Sequence, residues 1–410
     1  MLPRFVKLFT AVAIVALGAT GSALADGQGH APIVITSDTG FTSCGCVSSG
    51  SGSASSPYVI GPWSVSNPNG DGIYIDGTKL TKSFELYNVT ANGSSGNGIT
   101  LKNINAGKST IVAEVYGGHT SASNNAWGIQ ILNSSGVVLD GVGVNPNGPG
   151  LASNGFAVTN TNNLGGIDLE NSSNITLRGF QMNANGADSP PNWLTLDPST
   201  AYWGGGALRM FGVTNSTIDH NAASNSSDGH FMLFDSSGNT VSNNTAAYPY
   251  TMNFLIADGS TNNYITGNIA HDADYVGLMI ADPYPGSATL TKYGATHGNT
   301  VIGNDVYNNG PTGSEINSGI APSFIGGILV LNGAYGNTIE NNATNNSYSD
   351  DLAWAQAIPS ASSPIGIASY PPAIHCNVTA YDGPLPAPQY NGNVWSGNTY
   401  KAIDPCLPAQ

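Results

Sequence analysis

A short phrase returns along this chain, a glycine followed by alternating aliphatic residues. It reads GIYID from Gly72, GITLK from Gly98, GIQIL from Gly128 and GIDLE from Gly166. It continues as GALRM from Gly206, GHFML from Gly229, GLMIA from Gly277 and GILVL from Gly327, with MNFLIA from Met252 in step. Taking starts at 206, 229, 253 and 277, the spacing is 23 or 24 residues. A period of this size means stacked supersecondary units, because one such unit cannot bury its own apolar face. Short aliphatic and β-branched runs punctuated by Gly, Asn and Ser read as strands, not helices.

A second strand follows each first one. It appears as NSTIDHN (215–221), GNTVSNN (238–244), NNYITGN (262–268), GNTVIGN (298–304) and GNTIENN (336–342). Aligning Ile218, Val241, Ile265, Val301 and Ile339 puts Asn221, Asn244, Asn268, Asn304 and Asn342 in one column. Coils of a parallel solenoid lie about 4.8 Å apart, so identical Asn side chains can form an amide ladder. The frequent Asn-x-Ser/Thr triplets follow from that ladder and are not read as glycosylation signals. The phrase returns as NVWSGN (393–398) and suggests a last coil after an insertion at 351–392. The expected fold is all-β, a single parallel β-helix of roughly ten coils with loop insertions. The expected division is a leader at 1–25, an N-terminal cap and lead-in strands at 26–71, the β-helix at 72–348, and a Pro-rich C-terminal loop with the last coil at 349–410.

These residues resemble the right-handed parallel β-helix superfamily, the fold of pectin lyases and polygalacturonases. The Asn-rich repeats look most like its NosD-type members, periplasmic proteins linked to copper-enzyme maturation. SPYVIGPW (56–63) is also similar to the first segment of such secreted proteins. The resemblance covers roughly residues 56–348 and speaks to fold, since one solenoid carries many chemistries.

The first 25 residues, MLPRFVKLFTAVAIVALGATGSALA, combine basic Arg4 and Lys7, an apolar stretch Leu8–Leu17 and the small-residue site Ala23-Leu24-Ala25. That is the pattern of a secretory signal peptide cut before Asp26. No segment is long and apolar enough to span a membrane as a helix. Losing Arg4 and Lys7 leaves 8 basic against 25 acidic residues. No basic groove for a nucleic-acid backbone can be assembled from that inventory. Anionic polysaccharide is disfavoured too, because only Arg178, Arg209 and Lys292 occur between residues 109 and 400. A neutral ligand or a cation fits better. Cys44, Cys46, Cys376 and Cys406 suit an oxidising compartment. Cys376 with Cys406 would close the C-terminal loop, leaving Cys44 and Cys46 as a tight local disulfide rather than a metal pair.

Strand parity locates candidate chemistry. Counting back from the second strand makes Leu208/Met210, Phe231/Leu233 and Leu255/Ala257 interior. Outward-facing residues are then Ala207, Arg209 and Phe211; His230, Met232 and Phe234; Phe254, Ile256 and Asp258; Leu278, Ile280 and Asp282. This face is apolar for a wet surface, so a loop, another subunit or a ligand should cover it. Asp258 and Asp282 fall in one column. Neighbouring carboxylates repel, which raises one pKa and supplies the acid and base that glycosidic cleavage needs. His230 and Arg209 stand one or two coils away, placed to move a proton or stabilise an anion. Against this, Asp258-Gly259 and Asp282-Pro283 are also turn dipeptides.

The insertions 186–204, 283–297 and 309–325 carry aromatic residues, among them Trp193, Trp203 and Tyr284, that suit stacking on sugar rings or sealing of the solenoid. A rival patch is NIAHDADYVGLMIADPYPG (268–286), where Asp272 and Asp274 would share one side of an extended segment. Tyr248 and Tyr250 hold the equivalent places one coil earlier, so the patch suits a saccharide or calcium. His271 shares its column with Ser224, Ala247, Tyr307 and Asn345 and reads as surface. No His or Met cluster has ligand spacing, so copper handling rests on the NosD resemblance alone. No cofactor is called for. The expected function is a secreted β-helix binding or acting on a neutral carbohydrate, with glycoside hydrolysis as its sharp form. The alternative is a non-catalytic periplasmic or surface β-helix.

Overall fold

The computed structural model describes residues 28–106, 113–121, 125–141, 157–159, 164–183, 185–186, 206–226, 228–281, 295–310, 326–331, 334–345, 352–356, 374–375 and 393–400. Nearly all regular structure among them is strand; the exceptions are helix Asp38–Ser43 and a single turn at Gly77–Lys79. A 12-stranded sheet stacks the glycine-led strands in parallel, with only Ile374–His375 antiparallel. Each later coil adds two three-residue strands to a second, 21-stranded sheet, such as Thr217–Asp219 and Ala222–Ser224. These pair with the same places on the next coil, Thr240–Ser242 and Thr245–Ala247, and so wrap two further sides of the solenoid.

The core follows from the repeat. Leu208, Phe231, Phe254, Leu278 and Ile328 stack in register, as do Ile218, Val241, Ile265, Val301 and Ile339. None is more than 2% exposed, and burying each such side chain contributes about 1.5–3 kcal/mol. At the N-terminal end, Phe41 of the short helix packs on the rings of Tyr58 and Phe84, closing the first coil. Cys44 and Cys46 are disulfide-bonded to each other. Cys376 and Cys406 lie outside the described residues, as does the leader.

A parallel coil must turn sharply, and its corners use left-handed residues. The corner before the expected Asn ladder holds His220, Asn243, Gly267, Gly303, Asn341 and Gly397, with φ between 53° and 67°. L-residues enter that region at about 1–2 kcal/mol, whereas Gly and Asn pay little, which explains the composition. The ladder itself is complete from Asn221 to Asn398. Asn268 donates Nδ2 to Val241 O and to Asn304 Oδ1, both at 2.9 Å. Its Oδ1 accepts from the backbone N (2.9 Å) and Nδ2 (3.0 Å) of Asn244, so the amide is satisfied on every side. A second ladder, Ser216 to Asn239, Asn263, Asn299, Asn337 and Asn393, lines the preceding corner. The Asn of the repeated GNT was its unread sign.

Two strands depart from the parity expected above, Met252–Ala257 and Val276–Ala281, and Ala207, expected outward, belongs to the buried core. Phe254 and Ile256 point inward and pack with Leu278 and Ile280, while Leu255, Ala257, Met279 and Ala281 lie on the outer side. The turn after Ala257 runs through Asp258 (φ 45°) and Gly259 (φ 84°), one residue longer than the turn after Phe234. Counting back through that extra residue shifts the strand by one and exchanges its two faces.

Candidate functional site

The outer side of the 12-stranded sheet changes character along the stack. One column runs Tyr74, Thr100, Gln130, Asp168, Arg209, Met232, Leu255, Met279 and Leu329. Its apolar members are at most 1% exposed, so this face is buried within the single chain and calls for neither a subunit nor a ligand to cover it. Arg209 closes the polar half. Its Nε donates to Asp168 Oδ1 at 2.8 Å, Glu170 lies 3.8 Å from its Nη2, and its guanidinium sits 4.9 Å over the Trp127 ring. Asp168 also accepts from Gln130 Nε2 at 2.9 Å, and Gln130 in turn accepts from Asn97. Burial works against the Arg209 charge, but Asp168 and Glu170 outweigh it and hold the guanidinium protonated. Burial raises the Glu170 carboxyl, Asp168 adds to the rise, and Arg209 opposes it. Arg209 therefore faces outward as expected, with its donors directed into the wall.

His230 does not face outward. It is fully buried, with Nδ1 3.1 Å from Asn253 Oδ1 and Nε2 accepting from the Ser226 N–H at 3.4 Å. Burial drives its pKa down to about 3, so the ring is neutral. Strict alternation fails here because the ladder pairs Met252 with Val276 and Phe254 with Leu278, passing over Asn253. Asp258 sits in a left-handed column with Asn103, Asn133, Asn171 and Asp235, and is 2% exposed. Its backbone has the turn conformation of that column. Asp282, Trp193, Trp203 and Tyr284 lie outside the described residues.

The structure gathers a different set of groups at another corner, formed by Asn225, Tyr248, Asp272 and Asn308, all left-handed. Three of these are the short polar residues that tolerate such backbone. Tyr248 is not: its φ is 59° and it is 56% exposed. A bulky residue held at positive φ is an outlier that points toward function. Its ring meets His271 edge-on at 5.7 Å, and Tyr307 stacks on the other side of the imidazole at 4.9 Å with planes 2° apart. Asp272 Oδ2 lies 2.6 Å from His271 Nδ1, fixing which nitrogen carries the proton. Among the described residues, Nε2 has no hydrogen-bond partner. On the same coil as His271, Tyr264 and Ile269 are 43% and 37% exposed on a face otherwise rich in Thr and Ser. Because the chain turns at Asp272 (φ 52°), Asp272 and Asp274 do not sit as a pair along one extended strand. Tyr250 lies beyond the corner, its ring 6.0 Å from that of Tyr275.

Residues 165–344 match the family model described as right handed beta helix region. The chain is a right-handed parallel β-helix. The matched model is general to this fold and does not single out the NosD-type members. No curated protein matches the sequence. Among solved structures, this β-helix is similar to the mannuronan C-5 epimerase A-module of Azotobacter vinelandii, at 13% identity over 71% of this chain and 66% of that one, with a TM-score of 0.32. It is similar to the Dettilon tailspike protein at 12% identity over 84% and 60% of the chains, TM-score 0.38. It also resembles the periplasmic alginate epimerase AlgG at 10% identity over 90% and 83%, TM-score 0.38. The β-helix thus spans about two thirds or less of the first two. Among its described residues, no helix is long and apolar enough to cross a membrane, and no group of three or more His, Cys, Asp or Glu could hold a metal ion.

Asn253 is a residue that sequence reasoning missed. It joins buried His230 to the corner by donating Nδ2 to the His271 carbonyl at 3.1 Å and to Asn309 at 3.2 Å. A polar residue among the apolar ones of MNFLIA was the available sign.

Proposed function

We propose that this is an exported β-helix that binds a neutral carbohydrate at the Tyr248 corner. The observation that carries the reading is Tyr248, an exposed ring kept at positive φ where the other coils use Asn or Asp. Flat rings with an adjoining imidazole and carboxylate provide the apolar face and the hydrogen-bonding groups that a sugar ring needs. Asp272 and Asp305 lie by Tyr307 at the corner, without a Lys or Arg among its described members, which disfavours uronates. The neighbouring structures' names concern alginate epimerases and a tailspike, but at 10–13% identity they bear on fold alone. Export rests on the leader pattern and on the Cys44–Cys46 bridge.

Binding is the primary activity in this reading. Glycosidic cleavage needs two carboxyls flanking the bond, and of the expected pair Asp258 is taken up by a turn. A panel of neutral and acidic oligosaccharides tests the reading. At least one neutral glycan should bind, and Tyr248→Ala should weaken it about 10-fold, the loss of roughly one stacking contact. Binding confined to uronates, or an unchanged affinity in Tyr248→Ala, contradicts it.

A further inference from the structure

Amide ladders line two corners of the coil; at the third, behind Tyr248, the ladder is interrupted. Two residues past the paired column Asn183, Ser224, Ala247, His271 and Tyr307 stand Asn185, Ser226, Pro249, Ala273 and Asn309. Asn309 behaves as a ladder residue. Its Nδ2 donates to Ala270 O at 3.1 Å, and its Oδ1 accepts the Ala273 N–H at 3.0 Å. Pro249 has no N–H to satisfy. Into this gap reach the side chains of His230 and Asn253, both fully buried, from the start of two strands of the 12-stranded sheet.

The bonds there have a direction. The Ser226 N–H occupies His230 Nε2, so the ring proton is on Nδ1, which donates to Asn253 Oδ1 at 3.1 Å. Burial keeps the ring neutral, its pKa lowered to about 3, so one nitrogen is always an acceptor. With its oxygen turned to His230, the Asn253 amide directs its two N–H bonds to Asn309 Oδ1 at 3.2 Å and the His271 carbonyl at 3.1 Å. That carbonyl also receives the Tyr248 N–H at 3.4 Å. Asn253 therefore holds the acceptor on which the Tyr248 backbone rests. The hold matters because Tyr248 is disfavoured at φ 59° twice over. It is bulky, and it precedes Pro249, whose ring pushes the residue before it toward extended backbone.

We infer that Asn253 is a positioning residue for glycan binding: oriented by His230, it fixes the His271 carbonyl and so holds Tyr248 and the His271 ring in the arrangement that meets the sugar. This rests on the carbohydrate reading above. A site held in its binding arrangement gains affinity because less of it must be ordered by the ligand.

Calorimetric titration of the full chain with cellohexaose, xylohexaose, mannohexaose and maltohexaose, on the parent, Asn253→Leu and Asn268→Leu, tests it. Asn268→Leu removes an equally buried amide at the other end of the strand that carries His271, and so controls for lost stability. At a temperature where all are folded, Asn253→Leu should bind about 5-fold or more weakly, and Asn268→Leu like the parent. The proton resonances of the His271 ring, shifted by the Tyr307 ring stacked on it, should move in Asn253→Leu and stay in Asn268→Leu. Asn253→Ser, too short to bridge His230 and His271, should repeat the loss and replaces the leucine variant if that one does not fold. Unchanged affinity in the Asn253 variants, equal losses in Asn253→Leu and Asn268→Leu, or unmoved His271 resonances overturn the inference. The carbohydrate reading then stands as long as Tyr248→Ala weakens binding. If no hexaose binds the parent, that reading falls and the inference with it.

Discussion

The wall around Arg209 and the corner around Tyr248 draw on similar residue types, each with aromatic rings, carboxylates and a nitrogen base. They differ in what is left over. At the wall, Arg209 is 8% exposed and spends its donors on Asp168 and Glu170, while Trp127 beneath it is 2% exposed. At the corner, Tyr248 is mostly exposed, and the imidazole of His271, fixed through Nδ1, has no hydrogen-bond partner at Nε2 among the described residues. Residue types that can do chemistry therefore mark a site only where their valences are not already used inside the fold. Breaking a closed arrangement should cost stability; breaking the open one should cost binding.

The largest effect is expected at the wall. Arg209→Met should destabilise the protein by about 3–5 kcal/mol, because the fully buried Asp168 loses its counter-charge. Chemical denaturation checks this, and a loss below about 1 kcal/mol would show that the pair is not closed as described. Next comes the amide ladder. Asn268→Leu leaves partners on two neighbouring coils unsatisfied and should cost about 1–3 kcal/mol. An unchanged melting temperature would mean that solvent replaces the ladder bonds. The smallest effect is expected at Asp258→Asn. Asn occupies the same left-handed column at 103, 133 and 171, so stability should change by less than about 0.5 kcal/mol and glycan binding not at all. A large loss of binding there would restore Asp258 to the site.

Much of the fold was legible because a solenoid writes its contacts as columns. Ile218, Val241 and Ile265 could be aligned by eye, and Asn221, Asn244 and Asn268 fell into line behind them. Parity was less secure, since one extra residue at Gly259 exchanged inside for outside on the strand before it. His230 was misplaced for a related reason: alternation fails where a strand begins and the ladder skips a pair. The corner was half visible. Tyr248 and Asp272 could be put in one column, but the left-handed backbone that makes Tyr248 unusual has no signature in a tyrosine.

The most direct measurement on the central claim takes one substitution and two readouts. Tyr248→Asn puts into the corner the residue type its backbone prefers, relieving about 1 kcal/mol of left-handed strain. Thermal unfolding and glycan titration of the same sample should then move in opposite directions. The account predicts a melting temperature higher by about 1–2 °C, with affinity for the neutral glycan weakened about 10-fold. A lower melting temperature with unchanged affinity would contradict it, and would make Tyr248 a structural residue of an ordinary turn.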